Sequence, residues 1–528
     1  MTATLWGTPE EKKELSPSIQ KMLKKLLNAS SDNVQHPAEN EIKIAESRLE
    51  EDDLNALRSI VGAEYVSTEP LQRLRRARGK SYPDLMDMRS GKTLDAPDAV
   101  VAPDTEKEVL EILRHCSERK IAVVPFGGGT SVVGGVNPVR ENFRALITVD
   151  LTRFDKLEDV DTVSLEATLG AGLSGPHAEM LLEKHGLQIG HYPQSFPYAC
   201  IGGYAATRSS GQSSAGYGRF DEMVRSFTIV TPQGIIHVGH NAPKSAAGPD
   251  LRGLFLGSEG TFGIITRVRL RVHRIPEVKR YEAFSFKDFE AGANAVRQVV
   301  QTGTGPTVIR LSDEMESSVN LTSTDSIGES DADQRGCLCL TMYEGTDDHT
   351  RSRHEETRKL LLSLGGKSLG EGPVRQWEKG RFGAPVLRDG LLDNGAVCET
   401  LETATDWSNV PRLKKAVTQT IGDHLAKTGT PVLIMCHVSH VYKGGCSLYF
   451  TIIAGQDSKD PETQWWNTKK AVCQAIVDNG GTVSHHHAVG HDHRDYLPEE
   501  IGETNISVLC AVKNHLDPAG ILNPGKLI

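Results

Sequence analysis

PFGGGTS, residues 125–131, follows the apolar run IAVV, so a strand runs straight into three consecutive glycines. Gly127, Gly128 and Gly129 can turn successive backbone N–H groups toward one point, and such a concave nest accepts a diphosphate. Thr130 and Ser131 add hydroxyl donors beside it. Alone, the stretch reads equally well as a tight turn. Two distant stretches give it weight: PQSFPYACIGGYAATRSSG, residues 193–211, and GSEGTFGII, residues 257–265. A further glycine stretch, GAGLSG at 170–175, spells the GxGxxG dinucleotide fingerprint. The segment after its helix, LQIGHYPQ, lacks the carboxylate that would hold a ribose hydroxyl, so this one reads as a strand-to-helix turn.

Outward from these loops, AVVAPDTEKEVLEILRHCSERK reads as strand, turn and helix, with Asp104 or Thr105 as N-cap. RALITVDL and TVSLEATLGAGL read as strands, and VRSFTIVTPQGIIHVG as a hairpin turning at Pro232-Gln233-Gly234. After Pro276, helical stretches such as FEAGANAVRQVVQTG alternate with strands such as GCLCLTMYEG and CSLYFTIIAG, which predicts a second α+β domain. Within it, LTSTDSIGESDADQRG (321–336) is polar and acidic and is expected to be a mobile surface loop. The tail, LDPAGILNPGKLI, is expected to pack back on the first domain. Near the N-terminus Ile19, Met22, Leu23, Leu26 and Leu27 share a helical face beside Lys21, Lys24 and Lys25. That stripe suits a helix docked on its own domain, with a basic membrane-surface helix as the alternative. The expected division is an N-terminal helical region packing on the first domain (1–93), that domain (94–276), a cap (277–483) and a returning C-terminal segment (484–528).

The 528 residues carry 69 acidic and 59 basic side chains, a net charge of −10, which leaves no surplus of cations to neutralise nucleic-acid phosphates. No apolar run approaches the roughly 18 residues of a membrane span. MTATLWGTPEEKKEL lacks an apolar core behind a basic start, so no secretory leader is expected, and GKLI differs from the peroxisomal SKL. Nine scattered cysteines without a CxxC pair suggest reduced thiols in a cytoplasmic setting.

GHYPQSFPYACIGGYAATRSSG, VTPQGII, GPDLRGLFLGSEGTFGIITRVRLRV, VIRLSD and VSHHHAVG follow one another in the order seen in a known family. From about Trp6 to its end the chain resembles the alkyldihydroxyacetonephosphate synthase (alkylglycerone phosphate synthase) family, within the vanillyl-alcohol oxidase superfamily of flavoproteins. The resemblance implies an α+β fold of two domains: a PCMH-type FAD-binding domain and an α+β cap or substrate domain. It implies FAD contacts from Pro125, Phe126, Gly127, Gly128, Gly129, Thr130 and Ser131 in the first loop. His191, Pro193, Gln194, Ser195, Phe196, Pro197, Tyr198 and Ala199 follow, then Thr207, Arg208, Ser209 and Ser210. The third stretch adds Glu259, Gly260, Thr261, Phe262, Gly263, Ile264 and Ile265. Some superfamily members attach FAD through a histidine in the first loop; GGGT has none, so FAD is expected to be non-covalent.

The family's reaction exchanges the fatty acid of an acyl-dihydroxyacetone phosphate for a long-chain alcohol, forming an ether lipid without net redox change. In the course the resemblance implies, the substrate carbon loses a proton and becomes bonded to flavin N5, the carboxylate leaves and the alcohol attacks. Tyr449, in GGCSLYFTII, matches the family's catalytic tyrosine, which needs a nearby cation to work at neutral pH. Arg388, in APVLRDGLL, matches the substrate-binding arginine, whose fork suits a phosphate. Arg310, in TVIRLSD, matches a further arginine near the flavin.

His485, His486 and His487 match the family's histidine triplet at the pocket. Read as a strand, three adjacent side chains alternate faces and cannot converge on one ion, so no metal is expected and proton exchange is. His491 and His493 have an HxH spacing but lie where the family varies. Tyr192 and Gln194 stand where animal members carry two acids, which keeps a second reading open: an FAD-linked oxidase or dehydrogenase of a 2-hydroxy acid such as D-lactate or glycolate. By resemblance the partners are small lipid substrates, a second copy in a homodimer and a membrane surface.

Overall fold

The computed structural model describes residues 1–12, 14–29, 36–240, 242–319 and 336–528. The acidic stretch expected to be a mobile loop therefore lies, Gly336 apart, outside the described residues. Ala99–Val101, Ala145–Asp150 and Ile121–Phe126 pair in parallel, with Val66–Ser67 antiparallel at the edge. Parallel strands need a crossover, and the helix Glu106–Arg119 carries the chain from Ala99–Val101 to Ile121–Phe126, on either side of Ala145–Asp150. Thr105 is its N-cap, accepting from the Glu108 amide at 3.2 Å. Both faces of Ile121–Phe126 are covered: Ile121 and Val123 point into one cluster, Ala122 and Val124 into another. The strand is thus rigid up to Phe126, where the glycine loop begins.

An antiparallel five-stranded sheet follows, ordered Leu157–Asp161, Glu166–Gly170, Ile264–Arg271, Val224–Thr231 and Gly234–Gly239. The 170–175 stretch is a close-packing turn. A Cβ on Gly172 would stand 1.9 Å from the Leu151 carbonyl oxygen, and one on Gly175 2.6 Å from the Phe196 ring.

The third sheet has seven strands, with Val308–Ser312, Val432–Val438, Gly445–Gly455 and Ala396–Asp406 adjacent in that order. Its two faces follow from strict alternation. Leu448, Phe450, Ile452 and Ala454 enter the core beneath the helices Phe289–Thr302, Val410–Lys427 and Pro461–Asp478. Tyr449, Thr451 and Ile453 point the other way, into a cavity.

The tail returns to the first domain, where Leu522 bridges Val123 and Asn523 donates to the Glu259 carbonyl at 2.7 Å. The N-terminal region does not pack on that domain alone. Helix Pro17–Leu27 buries Ile19, Leu23 and Leu27 against Leu387, Leu391, Met435 and Ile453 of the cap. Of the stripe's described side chains, Ile19, Leu23 and Leu27 are covered by protein and Leu26 is exposed. Glu51–Val61 packs on the first domain's core instead. Among the described residues no helix is long and apolar enough to cross a membrane.

Candidate functional site

A cavity of about 970 Å³ separates the glycine loops from the open face of the seven-stranded sheet. Its first-domain wall holds Pro125, Phe126, Gly127, Gly128, Gly129, Thr130, Ser131, Pro193, Gln194, Ser195 and Ala199. Thr207, Ser209, Ser210, Glu259, Gly260, Gly263, Ile264 and Ile265 complete that wall. Arg310, Arg388, Tyr449, His486 and His487 face them from the cap and the C-terminal segment. The residues expected at the site that do not reach the cavity are Phe196, Pro197, Tyr198, Arg208, Thr261, Phe262, His191 and His485.

The loop is shaped as a cradle for an extended polar group. A Cβ on Gly127 would stand 2.2 Å from Cys200 Sγ, and one on Gly128 2.1 Å from the Tyr198 carbonyl oxygen. Gly129 has φ +65°, a left-handed conformation open mainly to glycine. Among the described residues the amides of Gly129, Thr130 and Ser131 meet no protein acceptor, although Gly129 is buried. Buried donors without a protein partner need a ligand or water, and the buried Gln194 Nε2 on the same wall is in the same state. The donor set fits the diphosphate of FAD.

The residues off the cavity hold the wall from behind. Arg208 (φ +50°) donates to the Leu256 and Gly253 carbonyls at 2.9 and 2.7 Å. His191 is buried with Nε2 3.0 Å from Ser209 Oγ, and burial pulls its pKa down to about 3, so it is a neutral imidazole bracing Ser209. Phe196 stacks on Phe382 at 5.4 Å and ties the second loop to the cap. Glu259 reaches the cavity, but its carboxylate accepts from the Val489 and Gly490 amides at 2.8 and 2.7 Å. Its task is to fasten the chain just after the histidine triplet.

On the cap side, strand register aligns three groups: Tyr449 lies opposite His437 on one neighbour and Glu402 on the other. The Tyr449 ring is stacked between His437 (4.9 Å) and His486 (5.9 Å), with His487 edge-on at 5.6 Å. Burial pushes its phenol up to about 12, while Thr400 and Arg388 pull the other way. Arg310 is not a free cation: Nη2 lies 2.5 Å from Glu316 Oε1 and 2.9 Å from His437 Nδ1. Arg388 is the underused one. Nε and Nη2 are buried without a partner among the described residues, and the nearest carboxylate is Glu399, at 3.6 Å from Nη1, rather than Asp389. Asp389 instead accepts from the Trp6 amide at 2.8 Å, which seats the Trp6 indole in the cavity wall with the Arg388 guanidinium 6.0 Å from its ring.

Residues 485–487 lie in a loop, so strand alternation does not govern them. His485 Nδ1 and His486 Nδ1 meet at 3.0 Å, and His440 from another loop stacks on His485 at 5.1 Å. Ring nitrogens of His440, His485 and His486 all lie within 4.8 Å of one another, a convergence that alternation argued against. Arg219 already sets a positive charge against all three rings. One of the two Nδ1 atoms must also carry the proton of their shared hydrogen bond.

Glu402 organises this segment, and no motif points to it. Its buried carboxylate accepts from Ser484 Oγ at 2.8 Å and from the amides of His485, His486 and His487 at 2.8, 3.1 and 2.9 Å. Burial favours its neutral form, but the imidazoles of His486, His487 and His485 and the His487 amide hold it well below the usual carboxylate range. The available signal was its place two and four residues beyond Thr400 and Cys398, which face the cavity: an acid at an inward strand position.

Comparison with known proteins agrees with this architecture. The family model described as FAD binding domain matches residues 97–239, and that described as FAD linked oxidases, C-terminal domain, matches 275–527. An alkyldihydroxyacetonephosphate synthase of Dictyostelium discoideum is 32% identical over 482 residues, 88% of this chain and 79% of the relative. One of Trypanosoma brucei brucei is 30% identical over 493 residues, covering 90% and 80%. A solved alkyldihydroxyacetonephosphate synthase superposes with TM-score 0.82 at 28% identity, covering 96% of this chain and 92% of that one.

Proposed function

The chain belongs to the alkyldihydroxyacetonephosphate synthase family of FAD-dependent enzymes, and we propose that it exchanges the fatty acid of an acyl-dihydroxyacetone phosphate for a long-chain alcohol. One observation carries the reading: Arg388, buried with two donors that have no partner among the described residues, opens on the same cavity as the apolar Leu338, Leu340, Leu387, Leu391 and Ile453. A guanidinium fork beside an apolar wall suits a phosphate joined to an acyl chain. A small hydroxy acid has no use for that wall.

FAD, held by the glycine loops, supplies the electron sink against which the substrate carbon is activated. In this reading Arg388 binds the phosphate and fixes the substrate's direction. Tyr449 exchanges a proton at the reacting carbon, and Arg388 offsets the charge of its phenolate. His486 and His487, on the cavity side of Glu402, take the proton of the incoming alcohol and steady the leaving carboxylate. Arg310, tied to Glu316, holds His437 against the Tyr449 ring. A membrane surface, from which such lipids come, is part of the same proposal.

The test supplies purified protein with palmitoyl-dihydroxyacetone phosphate and labelled hexadecanol. Label should enter an ether product as palmitate is released, and Tyr449→Phe should retain FAD but lose the exchange. The competing reading predicts instead that anaerobic D-lactate or glycolate bleaches the flavin band. Bleaching without exchange would overturn the synthase assignment.

A further inference from the structure

The proposed exchange has a proton balance that the cavity alone does not satisfy. The ester carbon–oxygen bond breaks and the carboxylate leaves with the bonding pair. The alcohol oxygen forms the new bond and loses its hydrogen, and no electrons are gained or lost. A fatty acid is ionised at neutral pH, because carboxyl groups titrate near pH 4. Each turnover therefore releases one proton in the cavity between the glycine loops and the seven-stranded sheet.

We propose that this proton leaves through a relay from His486 to His485 to Tyr442, so that His485 and Tyr442 serve the reaction without touching the substrate. The inference rests on the synthase reading. His486 lines the cavity and His485 does not. Their Nδ1 atoms are 3.0 Å apart, and His485 Nε2 lies 2.6 Å from the Tyr442 hydroxyl. Each imidazole can accept at one nitrogen and release from the other. A proton taken up at His486 Nε2 frees the one on Nδ1 for His485, which in turn frees its Nε2 proton for Tyr442.

The surroundings suit passage rather than storage. His440 packs on both rings, stacked on His485 at 5.1 Å and edge-on to His486 at 5.0 Å, and fixes their mutual angle. Burial, with Arg219 nearby, keeps both imidazoles below their ordinary pKa, so a proton does not lodge there. Tyr442 is only half-buried, and the next residues, Lys443 and Gly444, are exposed. Its hydroxyl also bonds Arg219 and Ser210, while the loop has backbone ties of its own. The Tyr442 amide donates to the Gly445 carbonyl at 2.8 Å, and its own carbonyl accepts from Trp407 Nε1 at 2.9 Å.

The experiment measures exchange by wild type, Tyr442→Phe and His485→Gln in dilute buffer and again with added imidazole. Flavin content, read by absorbance, establishes that each variant is folded. We expect kcat to fall about tenfold or more in the variants, KM to stay unchanged, and imidazole to restore kcat in proportion to its concentration. An undiminished kcat in dilute buffer, or a loss that imidazole does not restore, overturns the relay while leaving the synthase reading intact. Absence of exchange by the wild type overturns the reading and the relay with it.

Discussion

Glu402→Gln isolates the group that holds the histidine segment. Glutamine keeps the shape and one carbonyl oxygen but removes the charge, and it turns an amide donor toward backbone amides. Four donors converge on the wild-type carboxylate: Ser484 Oγ and the amides of His485, His486 and His487. Hydrogen bonds to charged groups contribute ~1.5–3 kcal/mol and neutral ones ~0.5–1.5 kcal/mol, so each donor loses about 1 kcal/mol. They share one acceptor and their losses overlap, which makes the expected destabilisation about 2–4 kcal/mol. The pH dependence sharpens the test. Because the folded pKa is depressed, the carboxylate's contribution is complete above its unfolded pKa, about 4.3, and is lost as pH falls toward the lower folded value. Glutamine does not titrate. The gap in urea midpoint between wild type and variant, followed by circular dichroism and flavin fluorescence, should therefore be constant from pH 8 to about 6 and narrow below about 4.3. An equal midpoint at pH 7, or a gap that widens in acid, would refute the role assigned to Glu402.

Three further outcomes follow from the same geometry. His191, His273, His487 and His493 have pKa values held down, chiefly by burial, to about 3, 4, 3 and 4. Their unfolded forms bind protons first, so stability should fall as pH drops from about 6.5 toward 4, by roughly 1.4 kcal/mol per residue at pH 5.5, and urea midpoints there should fall well below those at pH 7.5. Gly128→Ala drives a methyl group against the Tyr198 carbonyl oxygen; a cost of about 1–3 kcal/mol in a packed wall should weaken FAD binding about tenfold or more, read by flavin titration of the apoprotein. Arg388→Lys should raise the KM for the phosphorylated substrate by about one to two orders of magnitude with a smaller change in kcat, and an unchanged KM would place Arg388 outside the pocket.

The first domain was the more legible half. Buried parallel strands announce themselves as apolar runs, and the glycine loop after such a run gained its meaning from two further stretches in the same domain. Thr105 as cap and the hairpin after Val224 follow from local chemistry that tertiary contacts leave untouched. The cap's two-faced strands were also visible, since alternation in CSLYFTIIAG already separates Tyr449 from its core neighbours. The histidine triplet was harder. Its segment reads as a strand by composition but is held as a loop by Glu402 and Glu259, which lie 83 and 230 residues away in sequence.

The sequence by itself pointed to the glycine loops as a flavin cradle, to the strands that carry Arg310 and Tyr449, and to the family to which the chain belongs. Those features depend on local backbone preference and on period-two patterning, both written in neighbouring residues. Only the tertiary structure decided that His485 turns from the cavity toward Tyr442, that Arg310 bonds Glu316 closely while Arg388 keeps Nε and Nη2 without a partner among the described residues, and that helix Pro17–Leu27 seals the cap rather than the first domain. Each of these depends on which distant side chain arrives within about 3 Å of a buried polar atom, the range of a hydrogen bond. That is fixed by how two sheets and their loops close on one another.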